Sequence, residues 1–526
     1  MKGYFALVLH SHLPFVKHPD HEYFLEEHWL FEAIIESYLP LLMNLDRLKR
    51  EGVKVRLTLS LTPTLCEMLA DYHLQEKFSL HLNKLIELSY KECDRLKSDP
   101  VYHDVAHFYR DRLERLRSFF HDELQSSVIN GYRRFMEAGM LEIITCGATH
   151  GFLPLLSVNE QAVRVQLEVA ARTHEKHLGA RPRGIWLPEC AYYDGLDKLL
   201  NQAGLEFFFL ESHGVIYARP TPRFGLYAPI FTPSGVAAFG RDPDSSRQVW
   251  SSISGYPGDT DYRDFYRDIG YDLDFDYIKD YICPDGTRVF TGLKYHRITG
   301  QGEYKEVYVP RNASAKALTH AQNFHFNREK QIEHLANYMD RPPLIVSPYD
   351  AELFGHWWFE GPEFIYHLFK QIQEHNIIEP ITPGAYLDIF PTNQMVHPSP
   401  SSWGKDGYFD VWINPQNDWI YRHLHRMADI MQNVAARFAR EGNPLIRRLL
   451  NQMNRELLLA QASDWAFLIT TGTAVEYATK RTRAHIANFL RLNAMIDSSI
   501  DEGALNELEC QNSLFEGISF DIWNCH

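Results

Sequence analysis

Two apolar runs in this chain end on a carboxylate. One is Arg183-Gly184-Ile185-Trp186-Leu187-Pro188-Glu189-Cys190, and the other is Pro343-Leu344-Ile345-Val346-Ser347-Pro348-Tyr349-Asp350. Each has the composition of a strand buried on both faces of a parallel sheet, and parallel barrels collect their chemistry at the C-terminal ends of strands. Two carboxyls meeting there suit acid–base or nucleophilic chemistry at the anomeric carbon of a sugar. Trp186, Tyr349, Trp357 and Trp358 lie beside them, and flat rings pack on the apolar face of a pyranose. The bland alternatives are a structural salt bridge for Glu189, since an unpaired buried carboxylate is costly, and core packing for the two tryptophans. Cys190 lacks the histidine and asparagine surroundings of a cysteine nucleophile and reads as inert packing. In Asp350-Ala351-Glu352 the catalytic group is taken to be Asp350. Alternation in an extended segment puts Glu352 on the same face as Asp350, whereas a helix starting at Ala351 makes it an ordinary first-turn acid.

His10-Ser11-His12-Leu13-Pro14 puts two imidazoles on one face of an extended segment. Three readings stand side by side. The rings hydrogen-bond to backbone, or they hold a metal with His150 and Asp350, or they contact substrate hydroxyls directly. Asp464, after Ala462-Ser463, is either part of a helix N-cap or a residue reaching towards the barrel mouth. Trp403, Trp412 and Trp419 fall where the chain passes from strands to helices, as interface glue or as a cleft wall.

These groups need a scaffold. Candidate strands are 4–12, 53–61, 141–148, 183–189, 206–211, 289–294 and 344–350, mostly separated by helix-like segments. Strand–helix alternation of that length means a parallel sheet closed as a barrel. Residues 67–138 read as a helical insertion within a barrel of residues 1–395. After the Pro/Ser-rich stretch Pro391–Ser402, residues 396–526 read as a C-terminal helical domain leaning over the cleft. The chain has 526 residues, 45% of them hydrophobic, 23% charged and 13% aromatic, with a net charge of −15. That acidity, without any Lys/Arg block, excludes a general nucleic-acid binder. Seven cysteines without a CxxC pair fit a reducing compartment and a cytoplasmic location. Met1–Leu9 reads as a first core strand rather than a leader, and no stretch reaches the ~18 apolar residues of a membrane span.

Taken together, five motifs in order resemble glycoside hydrolase family 57, whose members act on α-glucans. They are His10-Ser11-His12-Leu13-Pro14, Gly147-Ala148-Thr149-His150, Trp186-Leu187-Pro188-Glu189-Cys190, the run from Tyr349 to Trp357, and Ser463-Asp464-Trp465. The similarity is to the 1,4-α-glucan branching subgroup. It implies an incomplete seven-stranded (β/α) barrel with a helical insertion and a helical C-terminal domain. It also implies Glu189 as nucleophile, Asp350 as general acid/base, and His10, His12, His150 and Asp464 as substrate contacts. Trp29, Trp403 and Trp412 match cleft tryptophans of that subgroup, with Trp357 kept as a sugar platform. The resemblance implies no metal or other cofactor.

The expected chemistry is a retaining double displacement, with the two carboxyls about 5–5.5 Å apart. One departure stands out. The resemblance implies a long loop after the fifth strand that carries a tyrosine over the site, whereas the stretch from His213 to Arg241 is short. Tyr227 is its candidate lid residue, approached through two prolines that stiffen the backbone. Branching therefore stands beside α-glucan hydrolysis. Rivals of other kinds are a catalytically poor glycan-binding homologue and a metal hydrolase built on His10, His12, His150 and Asp350.

Overall fold

In the computed structural model, which describes residues 2–251, 255–300 and 302–524, the strands are β1 (Gly3–Ser11), β2 (Leu57–Leu61), β3 (Leu141–Ile144), β4 (Gly184–Ile185), β5 (Phe207–Leu210), β6 (Ile230–Phe231), β7 (Ala237–Gly240), β8 (Leu344–Asp350) and β9 (Ile378–Pro380). One sheet runs β3-β2-β1-β8, with β9 beside the start of β1, and a second runs β4-β5-β7-β6. Two contacts join them. Thr145 bridges Ile185 in parallel, and the Asp242 amide donates to the Val346 carbonyl at 2.9 Å. The circuit β1-β2-β3-β4-β5-β7-β8 therefore closes as a seven-stranded (β/α) barrel, with β6 and β9 outside it.

Side-chain alternation along β1 sorts two cores. Tyr4, Ala6 and Val8 face the barrel interior with Ile144, Trp186, Phe207, Phe209 and Val346. Phe5, Leu7 and Leu9 face the surrounding helices. A strand buried on both faces must be apolar throughout, and all nine residues of β1 are buried. The same period carries His10 and His12 onto the inward set at the strand's C-terminal end, and it does the same for Asp350 on β8. His10 and Asp350 are direct register partners.

Two expectations about strands are corrected. Residues 289–294 form no strand. Gly292 is left-handed (φ 79°), and the amides of Thr291 and Gly292 both donate to the Asp268 carboxylate at 2.9 Å. A side chain thus takes the hydrogen bonds a neighbouring strand would have taken. The sixth strand of the barrel is instead Ala237–Gly240, too short and small-sided to show a periodic signal. The run ending in Glu189 is also cut short: only Gly184–Ile185 are strand, and Pro188–Cys190 is a 3-10 turn.

Helices Pro63–Ala70, Tyr72–Arg95, His103–Ser118 and Val128–Glu137 lie between β2 and β3. After β9, Trp419–Arg437, Pro444–Ala460, Ser463–Thr471 and Val475–Met495 pack together, and left-handed Gly472 separates the last two. The Pro/Ser-rich stretch is stitched to the barrel through the backbone pairs Tyr192–Ser401, Arg219–His397 and Phe231–Met395. No helix among the described residues is long and apolar enough to cross a membrane.

Candidate active site

Glu189 occupies a position that an extended strand would turn outward. Its backbone is left-handed (φ 61°, ψ 22°), as are Cys190 (φ 52°) and His150 (φ 57°). Non-glycine residues in this region cost roughly 1–3 kcal/mol each and persist where the surroundings over-determine them. Here the turn swings the carboxylate into the barrel mouth, where three donors hold it. Trp403 Nε1 donates to Oε2 at 2.9 Å, and Oε1 receives Trp412 Nε1 at 3.2 Å and Ser463 Oγ at 2.8 Å. The Trp403 amide also donates to the Glu189 carbonyl at 3.1 Å. Burial pushes the Glu189 carboxyl above its ordinary range, and the hydrogen bonds from Trp403 and Ser463 oppose that rise without cancelling it.

Ser463 opens the helix Ser463–Thr471 but does not cap it. The N-cap is Ala462, without a side-chain bond, which frees Ser463 and Asp464 for the barrel. The Ser463 amide donates to the His150 carbonyl at 3.1 Å, fixing the helix start against the strand end. Because Ser463 gives its hydroxyl proton to Glu189, His150 Nδ1 must donate to Ser463 Oγ, 2.8 Å away. His150 Nε2 then accepts from His10 Nε2 at 3.0 Å, and His10 Nδ1 accepts from Ser60 Oγ at 3.0 Å. The chain Ser60–His10–His150–Ser463–Glu189 runs in one direction with both imidazoles neutral. Burial, then the charge of neighbouring histidines, lowers both rings well below their ordinary range, in agreement with that assignment.

His12 is biased the other way. It stacks on His150 with centroids 3.9 Å apart, and its Nε2 lies 3.0 Å from both oxygens of Asp464. Burial alone would lower it, but the Asp464 carboxylate overrides burial and holds it above its usual range. Ligand-type atoms of His10, Cys146 and His150, and of His12, His150 and Asp464, lie within 4.8 Å of one another, so each trio has the spacing for a cation. The histidine nitrogens nevertheless have protein partners: Ser60, Thr62, Asp464, Ser463 and one another.

Asp350, at the end of β8, is built differently. No hydrogen-bond donor to its carboxylate is found among the described residues. Burial, then Glu352 and Glu189, push it up to about 8, against a smaller pull from Arg241 and His12. The influence of Glu189 on Asp350 places the two carboxyls in one electrostatic space. Glu352 follows in the turn Ala351–Leu353, and Tyr38 donates its hydroxyl to it. Tyr38 comes from a π-helical turn, Ile34–Tyr38, a distortion frequent at functional sites. Gly355 allows the close approach of that turn, since a Cβ there would lie 1.9 Å from the Glu36 carbonyl oxygen.

Of the other expected residues, Trp403 and Trp412 meet Glu189 as donors. Trp412 is fully buried and stacks on Phe152 (4.6 Å), while half-buried Trp403 lies 4.9 Å from Trp186. Trp29 packs edge-on against Tyr477 of the C-terminal helices (5.8 Å), and Trp357 is half-buried; neither bonds a carboxylate. Trp358 is core, 1% exposed against Phe364. Tyr227 is not over the site. Its carbonyl accepts from the Leu344 amide at the start of β8, the barrel end opposite Asp350. Between His213 and Arg241 the chain forms β6 and β7 and is tied through backbone hydrogen bonds of Arg219 with His397 and of Phe231 with Gln394, so it is held along the barrel rather than arched over the mouth.

A glycosyl hydrolase family 57 model matches residues 6–399, and a 1,4-alpha-glucan branching enzyme C-terminal model matches residues 423–523. The chain belongs to glycosyl hydrolase family 57. A 1,4-alpha-glucan branching enzyme from Thermococcus kodakarensis is 34% identical over 98% of this chain and 78% of the relative. Among solved structures, the novel alpha-amylase AmyC from Thermotoga maritima is 46% identical, with a TM-score of 0.94 and full coverage of both chains. A branching enzyme from Pyrococcus horikoshii is 33% identical, with a TM-score of 0.89 over 99% of this chain and 97% of that one.

In this family 57 chain, sequence reasoning missed four contributors as site residues. Ser463 was visible only inside a motif. In the sequence Glu352 reads either as a neighbour of Asp350 or as a first-turn helix acid. Arg241 follows the unrecognised β7, where it bonds Glu211 (3.1 Å) and Ser246 (2.7 Å) and acts on Asp350. Trp250 stands 6.3 Å from Trp403, and Arg241 lies 5.9 Å from each of these two rings. Strand-end position carried the signal for Arg241, but only once β7 is known.

Proposed function

We propose that this chain is a 1,4-α-glucan branching enzyme that works by retaining double displacement, with Glu189 as nucleophile and Asp350 as general acid and then base. The observation that carries the reading is the unequal provision for the two carboxyls. Glu189 has three donors that favour its anion. Asp350, pushed up to about 8, keeps its proton at neutral pH. Environments that split two acids in this way assign their roles.

In the first step Asp350 gives its proton to the glycosidic oxygen, the C1–O bond breaks, and a Glu189 oxygen bonds to C1. The departing glucan leaves with a free 4-hydroxyl. In the second step the Asp350 carboxylate takes the proton of a glucan 6-hydroxyl. That oxygen attacks C1 and releases Glu189, which leaves an α-1,6 branch. His10 and His150, whose nitrogens are taken up in the chain to Ser463, position Glu189. His12 and Asp464 face the sugar as a charged pair. Trp403 and Trp250 form the wall beside the nucleophile, with Trp29 and Trp357 assigned to outer subsites. Residues 1–395, with the insertion 67–138, make the catalytic unit, and 396–526 make the helical domain that supplies Ser463 and Asp464. The six described cysteines are unpaired, in keeping with a reducing, cytoplasmic setting.

A second reading, hydrolysis, is favoured by one specific feature. The segment after β5 is tied down: Arg219 and His397 exchange backbone hydrogen bonds of 3.0 and 2.7 Å, and the Ser399 amide donates to the Gly214 carbonyl at 2.9 Å. A fixed, short segment excludes less water from the second step. Incubation with amylose decides between the readings. New α-1,6 linkages without a matching rise in reducing ends are expected, and both are absent in Glu189→Gln and Asp350→Asn. Reducing ends alone would replace branching with hydrolysis, and activity surviving in either variant would remove the site assignment.

A further inference from the structure

On the outside of the barrel, two helices flank β8: Pro310–Leu335 precedes it and Gly361–His375 follows its turn. His325 and Glu329, four residues apart, share one face of the first helix. His375 ends the second. Glu329 Oε1 lies 3.5 Å from His325 Nε2 and 3.6 Å from His375 Nδ1, and the ligand-type atoms of the three residues all lie within 4.8 Å of one another. His325 is 2% exposed and Glu329 6%. Both His325 Nε2 and Glu329 Oε1 are buried without a hydrogen-bond partner among the described residues. Such orphaned atoms are rare, because a buried donor or acceptor left unpaired keeps its full desolvation cost.

The separations decide between two explanations. A hydrogen-bonded ion pair would close to about 2.7–2.9 Å. Two ligands of a tetrahedral zinc, each about 2.0–2.1 Å from the metal, stand roughly 3.3 Å apart. Both separations from Glu329 Oε1 lie near the second spacing and outside the first. Two imidazoles and a carboxylate are a zinc-type donor set, and His375, with 48% of its side chain exposed, leaves an entry path and room for a water as fourth ligand. We propose that His325, Glu329 and His375 bind one divalent transition-metal ion of the zinc class, which fastens together the two helices on either side of the strand bearing Asp350. The site is separate from the histidine cluster at the barrel mouth and takes no part in the chemistry there.

The test uses the full chain, stripped with a chelator and titrated with zinc chloride by calorimetry. One equivalent is expected to bind and to raise the melting temperature, with glucan activity unchanged at moderate temperature. His375→Ala, a change at an exposed helix end, should weaken binding by at least about 10–100-fold, the range for losing even an outer partner of a metal ligand, and abolish the thermal gain. Glu329→Gln should do the same. Absence of zinc binding would overturn the proposal. So would binding that survives in both variants, or binding that inhibits glucan turnover, since either would put the metal elsewhere, as at His12, His150 and Asp464.

Discussion

Glu189 and Asp350 stand at the same end of one barrel and are both buried, yet their surroundings are built in opposite ways. Around Glu189 the helix start at Ser463 and the segment that follows the Pro/Ser-rich stretch converge to supply two indole N–H groups and a hydroxyl. Around Asp350 they supply none, and two further carboxylates lie within electrostatic reach. Burial raises both acids, so burial cannot distinguish them. The number of donors aimed at each one does. The barrel alone provides two equivalent strand ends, and the helical segment that docks on one of them makes the pair unequal.

That inequality can be broken from either side. The larger effect is expected on the well-supplied side. Ser463→Ala removes one charge-assisted donor and interrupts the chain from Ser60, a loss of about 1.5–3 kcal/mol, or roughly 10–100-fold in kcat. Because the lost bond stabilises the Glu189 anion, the acid limb of the kcat/KM profile should also move to higher pH. An unchanged acid limb would show that Ser463 supports structure only.

A smaller effect is expected on the poorly supplied side. Asp350 must be protonated to start the reaction, so kcat/KM should fall as pH rises through about 8. Glu352→Gln removes a negative neighbour that helps to raise Asp350. Its ordinary range lies lower, and the alkaline limb should therefore shift to lower pH with little loss at the optimum. A shift to higher pH would contradict the electrostatic account of Asp350.

Much of this was legible in the sequence, and the exceptions have physical causes. Apolar runs ending in Glu189 and Asp350 marked the strand ends, and period two placed His10 and His12 together. The helical character of the C-terminal region was readable from its spacing. What escaped was local backbone geometry and side-chain competition. The left-handed turn that aims Glu189 leaves no trace in composition. Residues 289–294 had the apolar content of a strand, but Asp268 took their amide donors. Ala237–Gly240 was too short to show a period, which hid Arg241 and made its segment look like a loop. Tyr227 followed from that error, since the segment that carries it runs back towards the start of β7 and bonds Leu344 at the barrel end away from the mouth. Ser463 looked like a helix cap because serine usually is one, and only its docking against His150 gives it another use.

The account rests on Glu189 being the atom donor to a covalent intermediate. A fluorinated α-glucosyl fluoride, which forms the glycosyl–enzyme but releases it slowly, can trap that species for peptide mapping by mass spectrometry. One label per chain, on the peptide containing Glu189 and absent in Glu189→Gln, is the predicted result. A label on Asp350 or Glu352, or turnover with inversion at the anomeric carbon, would contradict it.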